Sequence, residues 1–362
     1  MEQNAFITTA SVYDSVPLTD RRAIRLVSIL PGGVEDDIHC TLEVIRTMNA
    51  IKYSALSYRW GSPSDTVPII LEGRTFQVTT NLEAALRQFR KPSTKEVLWI
   101  DALCINQEDH KEKSFQVNLM GSIYKEAQFV HVWLGKEEDG SDRAMKFLEE
   151  LNARIHKDKH IYDVRNNPSL FAGAWKRIPT GKWIFEALAS NRQLSEDLGH
   201  LFRREYWQRV WVVQEVSLAR NITLCCGGFQ IKNIMLDRAI DLLHRVQVDM
   251  PPGFNRIPES PFGMANARIW VNSGLRTSLY RLLIMGQTLL AHDPRDRIYS
   301  VLGLVNEPGI PQFEVDYSKP PEIVYRELAA AIMSRPDQDF LSLVLSRPQS
   351  WASSQLFLPS CE

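Results

Sequence analysis

Apolar and polar positions change rhythm along this chain. Up to about residue 135 they read mostly as strands. Ala23–Leu30 (AIRLVSIL) is an apolar-rich run stopped by Pro31-Gly32-Gly33, a strong turn signal. Ile38–Val44 alternates apolar with polar residues, as a half-buried strand does. Tyr53–Tyr58 predicts a further strand, and Val67–Leu71 and Thr75–Val78 flank Glu72-Gly73 as a hairpin. Asn81 is placed to cap a helix to Phe89, with Leu82, Ala85, Leu86 and Phe89 on one face. Val97–Ile105 (VLWIDALCI) is nearly continuous in apolar residues, which suits a central parallel strand covered on both faces. Helical spacing of Val117, Met120, Ile123 and Tyr124 over Lys111–Ala127, then the apolar Phe129–Leu134, completes a βαβ unit whose crossover should be right-handed.

Beyond Gly135 the pattern is mainly helical. A charged stretch opens at Lys136, and tryptophans follow at Trp175 and Trp183. Tyr206–Ala219 predicts an amphipathic helix and Ile222–Cys225 a strand. From Ile231 onward helical spacing returns, broken by the proline-rich Met250–Pro261. The fold class expected is therefore α/β, a mainly parallel sheet flanked by helices, with extra N-terminal strands and a mostly helical C-terminal region.

Composition narrows the function classes. With 362 residues and 44% hydrophobic content there is enough apolar material for a large core without disulfides or metals. The formal charge is −1, so no basic excess points to nucleic acid. Five cysteines, an odd number without a C-x-x-C pair, argue against a disulfide framework or structural zinc and for a cytoplasmic protein. The N-terminus lacks a basic-then-apolar leader, and no apolar run approaches the roughly 20 residues of a membrane span.

Parallel α/β sheets bind ligands beyond the carboxyl ends of their strands. Arg59, Trp60 and Gly61 after one strand, and Asn106 and Gln107 after another, are placed to line such a crevice. Asp101 falls mid-run among apolar residues, where a carboxylate is costly unless bonded. It is either a structural acid bonding to a helix N-terminus or an arginine such as Arg59, or a ligand-binding group. Trp207, Trp211, Glu215 and Leu218 form one stripe of the expected helix. Glu215 is then either a carboxylate in a tryptophan-floored cleft, able to reach sugar hydroxyls, or a structural acid paired with Arg209, Arg204 or a loop amide. Weaker candidates have bland readings. Cys104 is a small core hydrophobe, Glu108, Asp109 and Glu112 cap a helix, and His131 is a core histidine. Trp60, Trp99 and Trp133 are core residues. Phosphate-loop, zinc-protease and serine-hydrolase motifs are absent from the sequence.

Four segments in order carry a family resemblance: Tyr53–Gly61 (YSALSYRWG), Leu98–Gln107 (LWIDALCINQ), Gln116–Gly135 and Tyr206–Glu215 (YWQRVWVVQE), with Asn81–Leu86 between them. Together they resemble the fungal heterokaryon-incompatibility (HET) domain. Asp293–Leu304 (DPRDRIYSVLGL) and Asp316-Tyr317-Ser318 resemble the helical region that follows it. The resemblance implies a polar arm over 1–21, a HET domain over 22–228 with a helical insertion at about 136–200, and a helical region over 229–362. That last region is expected to be truncated at Leu358-Pro359-Ser360-Cys361-Glu362 relative to the family. The resemblance also implies a role in self/non-self recognition and programmed cell death. HET domains are in turn similar to Toll/interleukin-receptor (TIR) domains, of flavodoxin-like fold, some of which cleave NAD. Carried over, that similarity implies Glu215 as the catalytic glutamate. Tyr58, Arg59, Trp60, Gly61, Asp101, Asn106, Gln107 and Trp211 would then lie around the substrate. It implies NAD as a candidate substrate, no bound cofactor or metal, and protein partners that include a second copy of the chain. A non-catalytic signalling and self-association module, or an inactive truncated regulator, is the alternative.

Overall fold

The computed structural model describes residues 10–46, 50–158, 174–251, 254–275, 277–306 and 313–333. After a short helix α1 (Ala10–Tyr13) come strands β1 (Ile24–Ile29), β2 (His39–Ile45), β3 (Ser54–Tyr58), β4 (Thr66–Leu71) and β5 (Arg74–Thr79). Helix α2 (Thr80–Phe89) leads to β6 (Glu96–Trp99), the one-turn α3 (Asp101–Cys104), α4 (His110–Glu126) and β7 (Val130–Trp133). Helices α5 (Ser141–Lys157), α6 (Pro179–Ser190), α7 (Arg192–Arg203) and α8 (Val212–Leu218) precede β8 (Ile222–Cys226) and β9 (Phe229–Lys232). Helices α9 (Leu236–Val248), α10 (Glu259–Asn272), α11 (Leu279–Gly286) and α12 (Asp296–Leu302) follow. All of these belong to one unit, which includes 314–318; a second unit, 308–313 with 319–362, contains α13 (Pro321–Met333). The expected ending at 358–362 lies outside the described residues.

One nine-stranded sheet runs β5-β4-β2-β1-β6-β3-β7-β8-β9. Its centre, β6-β3-β7-β8, is parallel, and β1 joins β6 antiparallel with Val27 opposite Leu98. The expected α/β class and the added N-terminal strands are found. Alternation in β2 matches its exposure: Cys40, Leu42 and Ile45 are buried while His39, Thr41 and Glu43 are exposed. The hairpin sits where Glu72-Gly73 predicts it. Both residues have positive φ (52° and 71°), as a two-residue turn matching strand twist requires. Helix α4 carries the chain from β6 to β7 across β3. Ser57 lies opposite Val132 on the sheet face covered by α8, and Phe89 of α2 stacks on His131 on the other face.

Three expectations need correction. The VLWIDALCI run is a strand only as far as Trp99; at Asp101 the chain coils into α3. The Asp101 side chain accepts the Ala102 N–H at 2.8 Å, and its carbonyl accepts from Ile105 and Gln107. Aspartate thus supplies local bonds that compete with the strand ladder. The cap of α2 is Thr79, whose hydroxyl accepts the Leu82 N–H. Asn81 instead clips two strands, donating to the Arg59 carbonyl and accepting from Trp133 Nε1 at 3.0 Å. Finally, Tyr206–Ala219 is not one helix. A 3₁₀ turn (Glu205–Gln208) and α8 are separated at Arg209-Val210. There the backbone pairs with Leu290, Val210 N–H donating to its carbonyl at 3.0 Å. A tertiary partner out of reach of local periodicity breaks the helix.

Trp99, Trp133 and Trp207 are among the largest fully buried side chains, but Trp60 is 39% exposed at the strand edge. Cys40, Cys104, Cys225 and Cys226 are buried free thiols, and Cys361 lies outside the described residues. Among the described residues, no helix is long and apolar enough to cross a membrane. No group of three His, Cys, Asp or Glu side chains among them could hold a metal ion.

Candidate functional site

Because β3 and β6 run parallel, Tyr58 and Trp99 end at the same edge of the sheet. The chain leaving β3 presents Arg59, Trp60 and Gly61, and the chain leaving β6 presents Asp101 immediately beside them. Trp60 Nε1 donates to Asp101 Oδ2 at 2.8 Å. The partner of Asp101 is thus this indole and the start of α3, while Arg59 pairs outward with Glu205.

Beneath β3, α8 brings Glu215 against the strand. Ser57 Oγ donates to Glu215 Oε2 and lies 2.8 Å from the Tyr206 hydroxyl. Arg209, freed from helical structure by the Leu290 pairing, donates to the Tyr58 carbonyl and stands 3.7 Å from Glu215. Two buried acids, Asp101 and Glu215, therefore face one guanidinium. If both were ionised the cluster would hold a net negative charge out of water, which is costly. Burial pushes Glu215 up to about 7; the Asp101 charge adds to this, while Arg209 and the Ser57 hydrogen bond oppose it. Asp101 is likewise raised by burial against the pull of Arg209, Trp60 and the Ala102 amide. Burial also raises Tyr58, Tyr124 and Tyr206 above the ordinary phenol range, so they stay neutral. Both carboxyls are thus shifted the same way, toward holding a proton longer than an exposed acid does.

A cavity of about 610 Å³ opens over this cluster. Arg59, Trp60, Gly61, Asp101, Gln107, Arg209 and Trp211 line one side; Leu290–Asp293, Asp296 and Tyr317 line the other. Eight of the nine sequence-derived residues thus gather at the cavity or in the cluster behind it. Six line the cavity, and Tyr58 contributes its carbonyl to Arg209 from within the core. Glu215 joins the cluster but is 1% exposed, behind Arg209 and off the cavity wall. Asn106 also stays off the wall; its side chain accepts the Glu108 N–H at 3.2 Å and its amide donates to Glu112.

Reasoning from local pattern misses the far wall. Arg295 grips Asp293 with two nitrogens and donates to the Tyr317 carbonyl, and the Tyr317 hydroxyl donates to Asp296 at 2.6 Å. Trp211 hydrogen-bonds the same Asp296. The signal was the arginine–aspartate alternation of DPRDR and the DYS triplet, polar groups too densely placed for an ordinary helix start. The weaker candidates are occupied elsewhere. Burial raises the Cys104 thiol to about 12, an unreactive state. His131, stacked 4.7 Å from Phe89, is lowered to about 4 by burial and is neutral. Asp109 caps α4, accepting from Lys111 and Glu112.

The heterokaryon incompatibility protein (HET) family model matches residues 53–215, the stretch from β3 to the buried glutamate. The chain is similar to heterokaryon incompatibility protein 6, OR allele, of Neurospora crassa: 27% identical over 369 residues, covering 89% of this chain. It spans about half of that relative, 54% of its length. No solved structure matches.

Proposed function

We propose that this chain, whose residues 53–215 match the heterokaryon incompatibility (HET) family model, acts in fungal heterokaryon incompatibility, a self/non-self recognition that ends in cell death, by cleaving NAD in the cavity beside β3. The observation that carries the reading is the Asp101–Arg209–Glu215 cluster at the cavity floor. Two desolvated carboxyls there share one cation next to two indoles.

Cleavage of the nicotinamide–ribose bond sends its electron pair to the pyridinium nitrogen and leaves an oxocarbenium-like ribose. A carboxylate fixed in a water-poor wall stabilises that positive charge strongly. Water then bonds to the anomeric carbon, and its proton passes to the acid pair, whose burial makes both carboxyls better proton acceptors than exposed acids. Asp101 is the carboxylate on the wall. Glu215 sets the charge of the pair through Arg209 and is the acid that the TIR similarity singles out.

The burial of Glu215, 1% exposed and held by Ser57, favours a second reading. In it Glu215 is only the counter-ion of Arg209, and the domain signals by binding protein partners, a second copy included. The test is nicotinamide release from NAD by wild type, Glu215→Gln and Asp101→Asn, with circular dichroism to verify folding. The enzymatic reading expects wild-type release and losses on the order of 100-fold or more in both variants. A wild-type protein that leaves NAD intact selects the second reading.

A further inference from the structure

A second cavity, of about 690 Å³, lies on the opposite flank of β3 from the first. The first opens between the ends of β3 and β6; the second opens between the ends of β3 and β7, over Gly61 and Gly135. Both glycines have positive φ, 88° and 103°, which lets each strand end turn sharply away and leaves a crevice between them. Arg59, Gly61 and Glu205 line both cavities. The divider is thus a single ion pair, Arg59–Glu205, with its side chains 48% and 55% exposed. A pair so exposed is weak and exchanges partners easily.

The charges of the second cavity are not evenly committed. Asp65 is bonded to the Thr80 hydroxyl, Glu138 faces Arg204, and Glu205 faces Arg59. Arg204 donates to the Leu134, Lys136 and Glu138 carbonyls. Lys136 and His200 make no ion pair among the described residues. Arg203 donates only to neutral acceptors, Asn255 Oδ1 and the Arg256 carbonyl. His200 also lies near Asp197, which is itself held by Arg143. Opposite Lys136 and Arg203 stand Asp139 and Asp65, the latter bonded only to a neutral hydroxyl.

We propose that the two cavities are lobes of one binding groove straddling β3, and that the second lobe takes the phosphate-bearing half of a dinucleotide-type ligand through Lys136, His200 and Arg203. This rests on the NAD reading above and extends it. Arg59 exchanges the Glu205 carboxylate for a phosphate oxygen when the ligand crosses the divider, an exchange for which a planar guanidinium is well suited. The groove then discriminates by length, because a ligand confined to the first lobe does not reach the cations of the second.

Isothermal titration with NAD, ADP and inorganic pyrophosphate tests the assignment, using wild type, the exposed double variant Lys136→Glu/His200→Glu, and Asp101→Asn. Wild type is expected to bind all three probes. The double variant should weaken each on the order of tenfold or more, the scale of lost hydrogen bonds to charge. Asp101→Asn should weaken NAD and leave pyrophosphate unchanged. Unchanged ADP and pyrophosphate affinities in the double variant overturn the proposal, as does a wild type that binds none of the probes. Nicotinamide release measured in parallel separates the two ideas. Charge-dependent ADP binding without NAD cleavage leaves the groove standing and removes the enzyme. Cleavage with an unaltered KM in the double variant does the reverse.

Discussion

The two halves of the sheet treat buried charge differently. In the N-terminal half (β5, β4, β2, β1), mixed in direction with β2 and β4 parallel, the one buried charged side chain on a strand is Arg25, and it is well bonded. Its guanidinium takes both oxygens of Glu112 and also the Val16 and Cys104 carbonyls. In the parallel half (β6, β3, β7, β8) the strand ends converge on Asp101, Arg209 and Glu215, where two acids compete for one cation. One half uses charge as a rivet. The other keeps an electrostatic imbalance, and such imbalances mark sites that handle protons or charged ligands. Topology explains the division, since parallel strands bring several carboxyl ends to one edge and a hairpin such as β4–β5 consumes its ends in a turn.

Cutting the rivet should have the largest effect on stability. Glu112→Ala leaves the Arg25 guanidinium, 1% exposed, without its carboxylate, and loss of one partner of a buried pair typically costs about 3–5 kcal/mol. Urea unfolding should show this loss directly in the midpoint. A loss below about 1 kcal/mol would mean that the two carbonyls alone satisfy Arg25.

The imbalance should show itself through pH instead. Glu215 holds its proton more tightly folded than unfolded, with a folded value of about 7 against 4.5. Between those values the native state binds more protons, so this residue makes stability fall as pH rises from about 4.5 to about 7. Glu215→Gln cannot titrate. Relative to wild type it should therefore gain on the order of 2–3 kcal/mol between pH 4.5 and 8. Parallel stability profiles for the two proteins would show that Arg209 holds Glu215 ionised throughout, and the half-to-half contrast would lose its basis.

How far these differences can be read from sequence depends on the range of the forces involved. Strand periodicity, the Glu72-Gly73 turn and the apolar faces of α2 and α4 are local, and they appear where the pattern puts them. The ends of elements are less legible. Asp101 stops β6 with its own side chain, a competition that hydropathy does not register. The break at Arg209 depends on Leu290, some eighty residues onward, and so does the burial of Glu215 behind Arg209 instead of in the open cleft. Asp101 could be nominated because a carboxylate is out of place in an apolar run, Trp60 because it follows a strand end, and Trp211 because it shares a helical stripe with Glu215. The far wall, Asp293, Asp296 and Tyr317, shows in the sequence only as the polar density of DPRDR and DYS, because its meaning comes from what it faces.

The smallest expected effect probes the N-terminal half where it has no charge to lose. Gly73 has φ of 71°, and a Cβ added there meets nothing within 4 Å. Gly73→Ala therefore changes backbone strain alone. The cost of placing an L-residue in the left-handed region is about 1 kcal/mol. Thermal unfolding should register that loss with nicotinamide release unaltered, since the turn lies at the end of the hairpin opposite Thr79, where the cavity is. If the substitution instead reduced release while the fold held, the turn would be coupled to the site through β5 and Thr79, which lines the first cavity. The two halves would then be one functional body instead of a scaffold and a site.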